Sequence, residues 1–390
     1  MSTPRLIIVT PHFWPSVGRV PRYVGRLVET LPGAGWKVTV VAPRWIADWP
    51  ERLSVDESPV VRLDPAPVDA WTRWQYGRRL GRWLRRNTRS EDIVLAVGLR
   101  HDAATVMHHV GRRAATVLFA PRAGRASDAH WLRESAGGRR LSRSLLKADA
   151  VIAPSDAVRS ELDAAGFPGD RIDAIPWGVP IVPSRLRARR AKARRVLAEA
   201  SDVLRVPDWA PIGLCIGRLD ADRGLPPLVA AWEPITRQWP NARLWLVGRG
   251  PERTHLDRQI SGLRLTGRVQ MLGVFEHVET LLDAADLLIA PAPADDVALP
   301  VLEALGAGLP VVAADAPGHR AVVEHDRTGL LVPPDDADDL HAAIFRLIDA
   351  PPLAARLGEA GRRMAAECWP LEAMVERHVA LFERLRKNAG

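Results

Sequence analysis

The 390-residue chain is 47% hydrophobic and 26% charged, the composition of a globular enzyme of two or three domains. It has no run of 18 apolar residues, which excludes an ordinary transmembrane helix. Its first residues run into Leu6-Ile7-Ile8-Val9 without a signal-peptide pattern, so a cytoplasmic protein is expected. Two cysteines, Cys215 and Cys368, with no C-x-x-C pair, exclude a disulfide framework and a thiolate zinc site.

In chain order, β-rich runs occur at Leu6–Thr10, Lys37–Ala42, Ile93–Val97, Thr116–Phe119, Ala150–Ala153 and Arg171–Ile175. Helical patterns at Val20–Leu31, Ala103–Arg113 and Asp156–Ala165 lie between them. Pro176, Pro180 and Pro183 then punctuate the chain, and Arg185–Arg195 is densely cationic. A second series of strands follows at Ile212–Ile216, Arg243–Val247, Val269–Leu272, Leu287–Ala290, Val311–Ala314 and Gly329–Val332. Its helices are Leu225–Gln238, Val278–Ala285, Leu299–Gly308 and Asp336–Asp349. After Leu353–Glu367, the Trp369-Pro370 step breaks the chain before a final helix, Leu371–Arg386. Continuous apolar strands alternating with amphipathic helices predict parallel sheets covered on both faces, hence an α/β protein of two doubly wound, Rossmann-like domains. The expected boundaries are 1–183 and 209–367, with a basic linker at 184–208 and a C-terminal helix at 368–390.

The net charge is +8 and the pI about 10.3; only four of the 54 basic residues are lysines (Lys37, Lys147, Lys192 and Lys387). The arginine excess reads either as the base composition of a GC-rich genome or as a response to an anionic partner. The densest mixture of arginine and tryptophan lies within 71–89, where Trp71, Trp74 and Trp83 accompany Arg73, Arg78, Arg79, Arg82, Arg85 and Arg86. That pattern suits a helix at an anionic membrane surface, and equally a surface helix whose tryptophans pack on a sheet. No nucleic-acid recognition fold accompanies it, so no nucleic-acid partner is expected. His108 and His109 lack an H-E-x-x-H context, no metal is expected, and Cys215 reads as core.

Chemistry in such folds sits where strands run into helices. Gly217-Arg218-Leu219-Asp220-Ala221-Asp222-Arg223-Gly224 follows a strand and precedes a helix, so two guanidinium groups and free N–H groups can converge on a diphosphate; a solvated arginine pair is the alternative. Asp295 and Glu303 stand eight apart around the next such turn. A carboxylate inside the apolar Val301–Leu305 stretch calls for hydrogen-bond donors such as paired sugar hydroxyls, while Asp295 reads equally as a helix N-cap.

Taken in order, Gly217-Arg218-Leu219, Arg223-Gly224, Val247-Gly248-Arg249-Gly250-Pro251, Asp286 ahead of Ala290-Pro291, Glu303-Ala304-Leu305-Gly306-Ala307-Gly308-Leu309-Pro310-Val311-Val312 and Gly329-Leu330-Leu331-Val332 resemble the retaining glycosyltransferases of family 4. Ser16-Val17-Gly18, Ala153-Pro154-Ser155 and Ile175-Pro176-Trp177-Gly178-Val179 extend the resemblance to the N-terminal half. It implies the GT-B architecture, two Rossmann-like domains facing a cleft, with the acceptor bound by the N-terminal domain, the nucleotide-sugar by the C-terminal domain, and the last helix crossing back to the N-terminal domain. It also implies transfer of a hexose from a UDP-, GDP- or ADP-sugar to a glycan or lipid-linked acceptor. The family reaction retains anomeric configuration, uses no metal or resident cofactor, and often takes place at the inner face of the membrane.

By position, the resemblance assigns Arg218 and Arg223 to the diphosphate and Glu303 to the ribose. Asp295 goes to the donor sugar. Gly217, Val297, Ala298 and Leu299 bring backbone toward sugar and phosphates, and Gly18 approaches from the N-terminal domain. Five departures stand out. Asp295 is shorter than the family glutamate, and Asp296-Val297-Ala298 replaces Gly-Phe-Gly. Arg19 takes the second glycine of the N-terminal pair, where it either blocks the donor or adds a phosphate contact. Trp177 replaces an asparagine, and Ala120-Pro121-Arg122-Ala123-Gly124 lacks the family histidine, leaving Asp128 ahead of Arg122 and His130 as the nearest polar substitute. These departures also motivate an alternative, a catalytically silent relative that binds nucleotide or glycan as an assembly partner.

Overall fold

The computed structural model describes residues 3–183, 187–275, 277–294 and 296–389. The chain divides into two compact units, Met1–Trp177 with Glu372–Gly390, and Gly178–Leu371.

In the first unit, β1 (Arg5–Val9), α1 (Arg19–Thr30), β2 (Lys37–Pro43), β3 (Arg52–Val55), β4 (Ser58–Leu63), α2 (Ala70–Asn87), β5 (Ile93–Val97) and α3 (His101–His109) come first. β6 (Ala115–Phe119), α4 (Asp128–Glu134), α5 (Ala136–Leu145), β7 (Ala150–Ala153), α6 (Asp156–Ala164) and β8 (Ile172–Ala174) complete it. Among the described residues the strands order as β3-β4-β2-β1-β5-β6-β7-β8, parallel throughout except for β3. β1 and β5 are buried on both faces, and each fully buried Leu, Ile or Val contributes about 1.5–3 kcal/mol.

The second unit contains α7 (Arg187–Ala200), β9 (Ile212–Ile216), α8 (Leu225–Gln238), β10 (Arg243–Val247), α9 (Arg253–Gly262), β11 (Val269–Gly273) and α10 (Glu279–Ala284). It continues through β12 (Leu287–Ala290), α11 (Leu299–Gly306), β13 (Val311–Ala314), α12 (Pro317–Arg320), β14 (Leu330–Val332), α13 (Ala337–Asp349) and α14 (Pro351–Cys368). Its sheet is parallel, in the order β11-β10-β9-β12-β13-β14. The final helix, α15 (Leu371–Ala389), lies almost wholly in the first unit. There His378 meets Tyr23, Phe382 meets Trp36, and Arg384 pairs with Asp173.

Both doubly wound domains are present, and the expected strands appear within a residue or two of their sequence positions. The antiparallel hairpin β3–β4 is a departure from the all-parallel reading. Its turn places Asp56 and Glu57 at φ of 45° and 64°, the conformation that Asn-Gly or Asp-Gly usually signals, so the sequence carried no such mark. The expected helix Ala103–Arg113 stops at His109, because Gly111 turns the chain at φ 43° into a single 3-10 turn.

α2 shows how the basic segment folds. Asp69 and Thr72 form a reciprocal capping box at its start, and Tyr76, Leu80, Gly81 and Leu84 form its buried face. Trp83 packs half-buried against the core, whereas Trp71 and Trp74 are exposed and stack on each other with Arg78 over Trp74. No described helix is long and apolar enough to cross a membrane.

Candidate functional site

In the second unit the chain runs β9, β10, β11 toward one edge of the sheet and β12, β13, β14 toward the other, so the strand order reverses between β9 and β12. Open parallel sheets bind ligands at the carboxyl ends of the strands flanking this reversal. The loop after β9 carries Gly217, Arg218 and Arg223; the loop after β12 leads to Val297, Ala298, Leu299 and Glu303. The topology therefore brings these seven sequence-predicted residues to one edge of one sheet. Asp295 lies outside the described residues.

Backbone contacts fix the first of these loops. Gly217 N donates to Val247 O, Leu219 N to Arg249 O, and Glu252 N to Leu219 O, tying the β9 exit to the β10 exit. The approach is so close that a Cβ on Gly248 would lie 1.7 Å from Gly217 O. Gly224 adopts the left-handed conformation at φ 61° as the chain enters α8, and a Cβ there would lie 2.8 Å from Pro291 O. That contact seats the Arg223 turn against the β12 exit.

The two arginines differ. Arg218 is 69% exposed in its side chain and donates through Nε and Nη2 to both oxygens of Asp220, at 2.6 and 3.1 Å. The pair raises the Arg218 pKa and holds Asp220 below the usual carboxylate range. Arg223 is less open, its Nε is buried without a hydrogen-bond partner among the described residues, and Asp222 stands 3.7 Å away. Beneath it, burial pushes the Cys215 thiol up to about 12, so Cys215 is a neutral core group.

On the β12 side, Glu303 is only 4% exposed although it sits in an otherwise apolar helix. α11 starts after Ala298 with no side-chain cap, Pro300 contributes no N–H, and Val301 N donates to Ala298 O. Gly318 N donates to Ala294 O, and a Cβ on Gly318 would lie 2.2 Å from Asp296 O, so α12 braces the loop. His319 in α12 is buried, and its imidazole meets Ala314 O at 2.7 Å; burial lowers its pKa.

The sequence reading overlooked the anchor behind this edge. Asp286 accepts hydrogen bonds from Arg190, from Arg194 at 2.8 Å and from Ile212 N at 2.8 Å. Arg194 is 3% exposed in its side chain and also donates to the carbonyls of Ala284, Pro207, Asp208 and Ala210. The cationic run in α7 thus joins the starts of β9 and β12. Asp220 was likewise legible only as a neighbour of Arg218.

In the first unit the strand order reverses between β1 and β5. Gly18 and Arg19 follow β1. Arg19 donates to Pro121 O at 3.1 Å and lies over the Trp177 ring at 5.5 Å, so three departures from the family pattern meet one another. Asp128 accepts from Leu99 N at 2.8 Å and from Arg100 Nε at 2.6 Å, bridging the β5 exit to the start of α4. Glu161 holds the intervening loop through Gly124 N and Ser127 Oγ. Arg122 is exposed.

Residues 210–350 match the family model described as glycosyl transferases group 1, and residues 20–183 match that of glycosyltransferase family 4. With its two Rossmann-like sheets, the chain is a glycosyltransferase of GT-B architecture, an enzyme of the class that transfers sugars. It is similar to the alpha-D-kanosaminyltransferase of Streptomyces kanamyceticus, 26% identical over 242 residues that cover 61% of this chain and 61% of that protein. It is also similar to the GDP-mannose-dependent alpha-(1-6)-phosphatidylinositol monomannoside mannosyltransferase of Mycolicibacterium smegmatis, 28% identical over 93% of this chain and 94% of that one. The chain thus spans about three fifths of the first relative's length and nearly all of the second's. Among solved structures, Anabaena HepE in complex with UDP and glucose has a TM-score of 0.73 at 19% identity, covering 97% of this chain and 99% of that one.

Proposed function

We propose that the chain is a family 4 enzyme that moves a hexose, with retention, from a nucleoside-diphosphate sugar to a glycan or lipid-linked acceptor. The observation that carries this reading is the placement of two arginines and a buried glutamate on opposite sides of the strand reversal between β9 and β12. Arg218 and Arg223 hold the diphosphate and stabilise the charge that develops as it leaves, aided by the dipole of α11. Gly217, Val297, Ala298 and Leu299 supply close backbone. Glu303 accepts the ribose hydroxyls, and Asp295 contacts the donor sugar. Asp128 orients the loops of the acceptor side. The arginines supply the positive charge, so the reaction proceeds without a metal. HepE, whose structure holds UDP and glucose, and the mannosyltransferase named for GDP-mannose support a nucleotide-sugar donor; the phosphatidylinositol monomannoside in the latter's name supports a lipid-linked acceptor.

The exposed Trp71–Trp74 stack and the arginines on the outer face of α2 support reversible docking on an anionic leaflet at the cytoplasmic face. A panel of UDP-, GDP- and ADP-sugars, with and without EDTA, tests the function. The expected result is transfer or slow donor hydrolysis from one nucleotide class, unaffected by the chelator, with the anomeric proton coupling of the product reporting retention. No nucleotide raising the melting temperature, and no turnover with any donor, would overturn the reading.

A further inference from the structure

Apart from the residues assigned above, the exits of β1, β2 and β4 carry an aromatic cluster that the donor site does not use. The His12 ring lies on the Trp45 indole, centroids 5.0 Å apart and planes 19° from parallel, and Trp45 Nε1 donates to Pro11 O at 2.7 Å. Arg62, 4% exposed, lies against Trp49 at 4.9 Å and Trp14 at 5.8 Å. Its guanidinium donates to Trp14 O at 2.8 Å and Pro50 O at 3.1 Å, so one buried side chain pins both indole-bearing loops. Cation–π contacts of this kind are strengthened by desolvation.

The charges here are already spent. Arg44 is paired with Asp64, Arg62 is buried under the rings, and desolvation lowers the His12 pKa. Ile46, which follows Trp45 in the chain, is half exposed. The cluster therefore offers fixed, half-buried aromatic surface at the ligand-binding edge of a parallel sheet and no unpaired cation for a phosphate. Its chemistry matches the apolar face of a neutral pyranose ring.

We propose that His12, Trp14, Trp45 and Trp49 form a platform on which a neutral sugar ring of the acceptor stacks. The assignment rests on the glycosyltransferase reading above, since it places the acceptor glycan in the first unit. It narrows the acceptor to one that already carries a neutral sugar next to the accepting hydroxyl.

The test uses the full chain labelled with 5-fluorotryptophan and followed by fluorine NMR, with Trp45→Phe and Trp49→Phe assigning the two resonances. Titrants are maltotriose, mannotriose, cellotriose and chitotriose, and separately vesicles of phosphatidylglycerol. The expected result is a saturable shift of the Trp45 and Trp49 resonances with at least one trisaccharide. Trp45→Ala and His12→Ala should weaken that binding roughly threefold to tenfold, the range for an aromatic stacking contact. Binding of UDP, GDP or ADP should be unchanged in both variants. His12→Ala removes the stack from a surface residue, so the test survives if Trp45→Ala does not fold. Resonances that move with no trisaccharide, or with vesicles alone, overturn the platform. Failure of the parent to bind any of the three nucleotides counts against the donor reading instead, because the trisaccharide titration contains no nucleotide.

Discussion

Replacing Arg218 by alanine removes one of the two cations at the β9 exit and leaves Asp220 without the partner that holds its carboxylate low. A charge-assisted hydrogen bond is worth about 1.5–3 kcal/mol, or roughly 10- to 150-fold in affinity. The Arg218 side chain is 69% exposed, so solvent screening puts it at the lower end, about 1.5 kcal/mol. Arg223 is less exposed and has a buried Nε with no partner among the described residues; it gains more from a ligand oxygen, and Arg223→Ala should cost the larger loss. Calorimetry with UDP, GDP and ADP, repeated with the matching nucleoside, separates the phosphate contribution from the base and ribose. The loss should appear with the diphosphate, be absent with the nucleoside, and shrink as salt is raised. Equal affinity of parent and both variants for the diphosphate, or an equal loss for the nucleoside, would refute the clamp.

Glu303→Ala should abolish the preference for ribose over deoxyribose nucleotides, whereas Asp295→Ala should spare free nucleotide and lower only sugar transfer; isothermal titration beside a transfer assay checks the division. Arg194→Ala removes one of the three donors to Asp286 and the guanidinium that four carbonyls share, and Asp286→Ala leaves the buried Arg194 without its carboxylate, so chemical denaturation should show a loss of about 3–5 kcal/mol for each. Burial lowers the His378 pKa to about 4; Nδ1 donates to Met374 O, which leaves Nε2 to accept the Tyr23 hydroxyl at 2.6 Å. Because the unfolded imidazole takes its proton near pH 6.5, this group's contribution is fully present above that pH. It is lost as pH falls from about 6.5 to 4, by about 3 kcal/mol in all, and the difference in denaturation midpoint between parent and His378→Gln should narrow over that window. Vesicles containing anionic lipid should pellet the parent at low salt, and the triple variant Arg78→Glu, Arg82→Glu, Arg85→Glu should stay in solution; equal pelleting would leave α2 as ordinary surface.

Periodicity and punctuation in the sequence determined a great deal of this protein. The apolar runs at Ile93–Val97, Ile212–Ile216 and Val311–Ala314 are buried on both faces, so each had to be a central parallel strand, and each is one. The order of short motifs from Gly217 to Val332 was enough to identify the glycosyltransferase class, because glycines at strand exits are local requirements of closely approaching loops, such as Gly248 against Gly217 O. Local signals were silent wherever a residue's partner is distant in the chain. Nothing near Asp286 in sequence announces Arg190 and Arg194, some ninety residues earlier, and the cationic run there read as a linker because ion pairing is a property of the folded chain. Arg19 and Trp177 each looked like an isolated departure until the fold laid one guanidinium on the other's ring. The β3–β4 hairpin was invisible because Glu57 takes a left-handed position where a glycine would have marked the turn. Sequence sets which segments are buried and which loops carry charge; which distant charges and rings meet is decided only when the sheets align the strand ends.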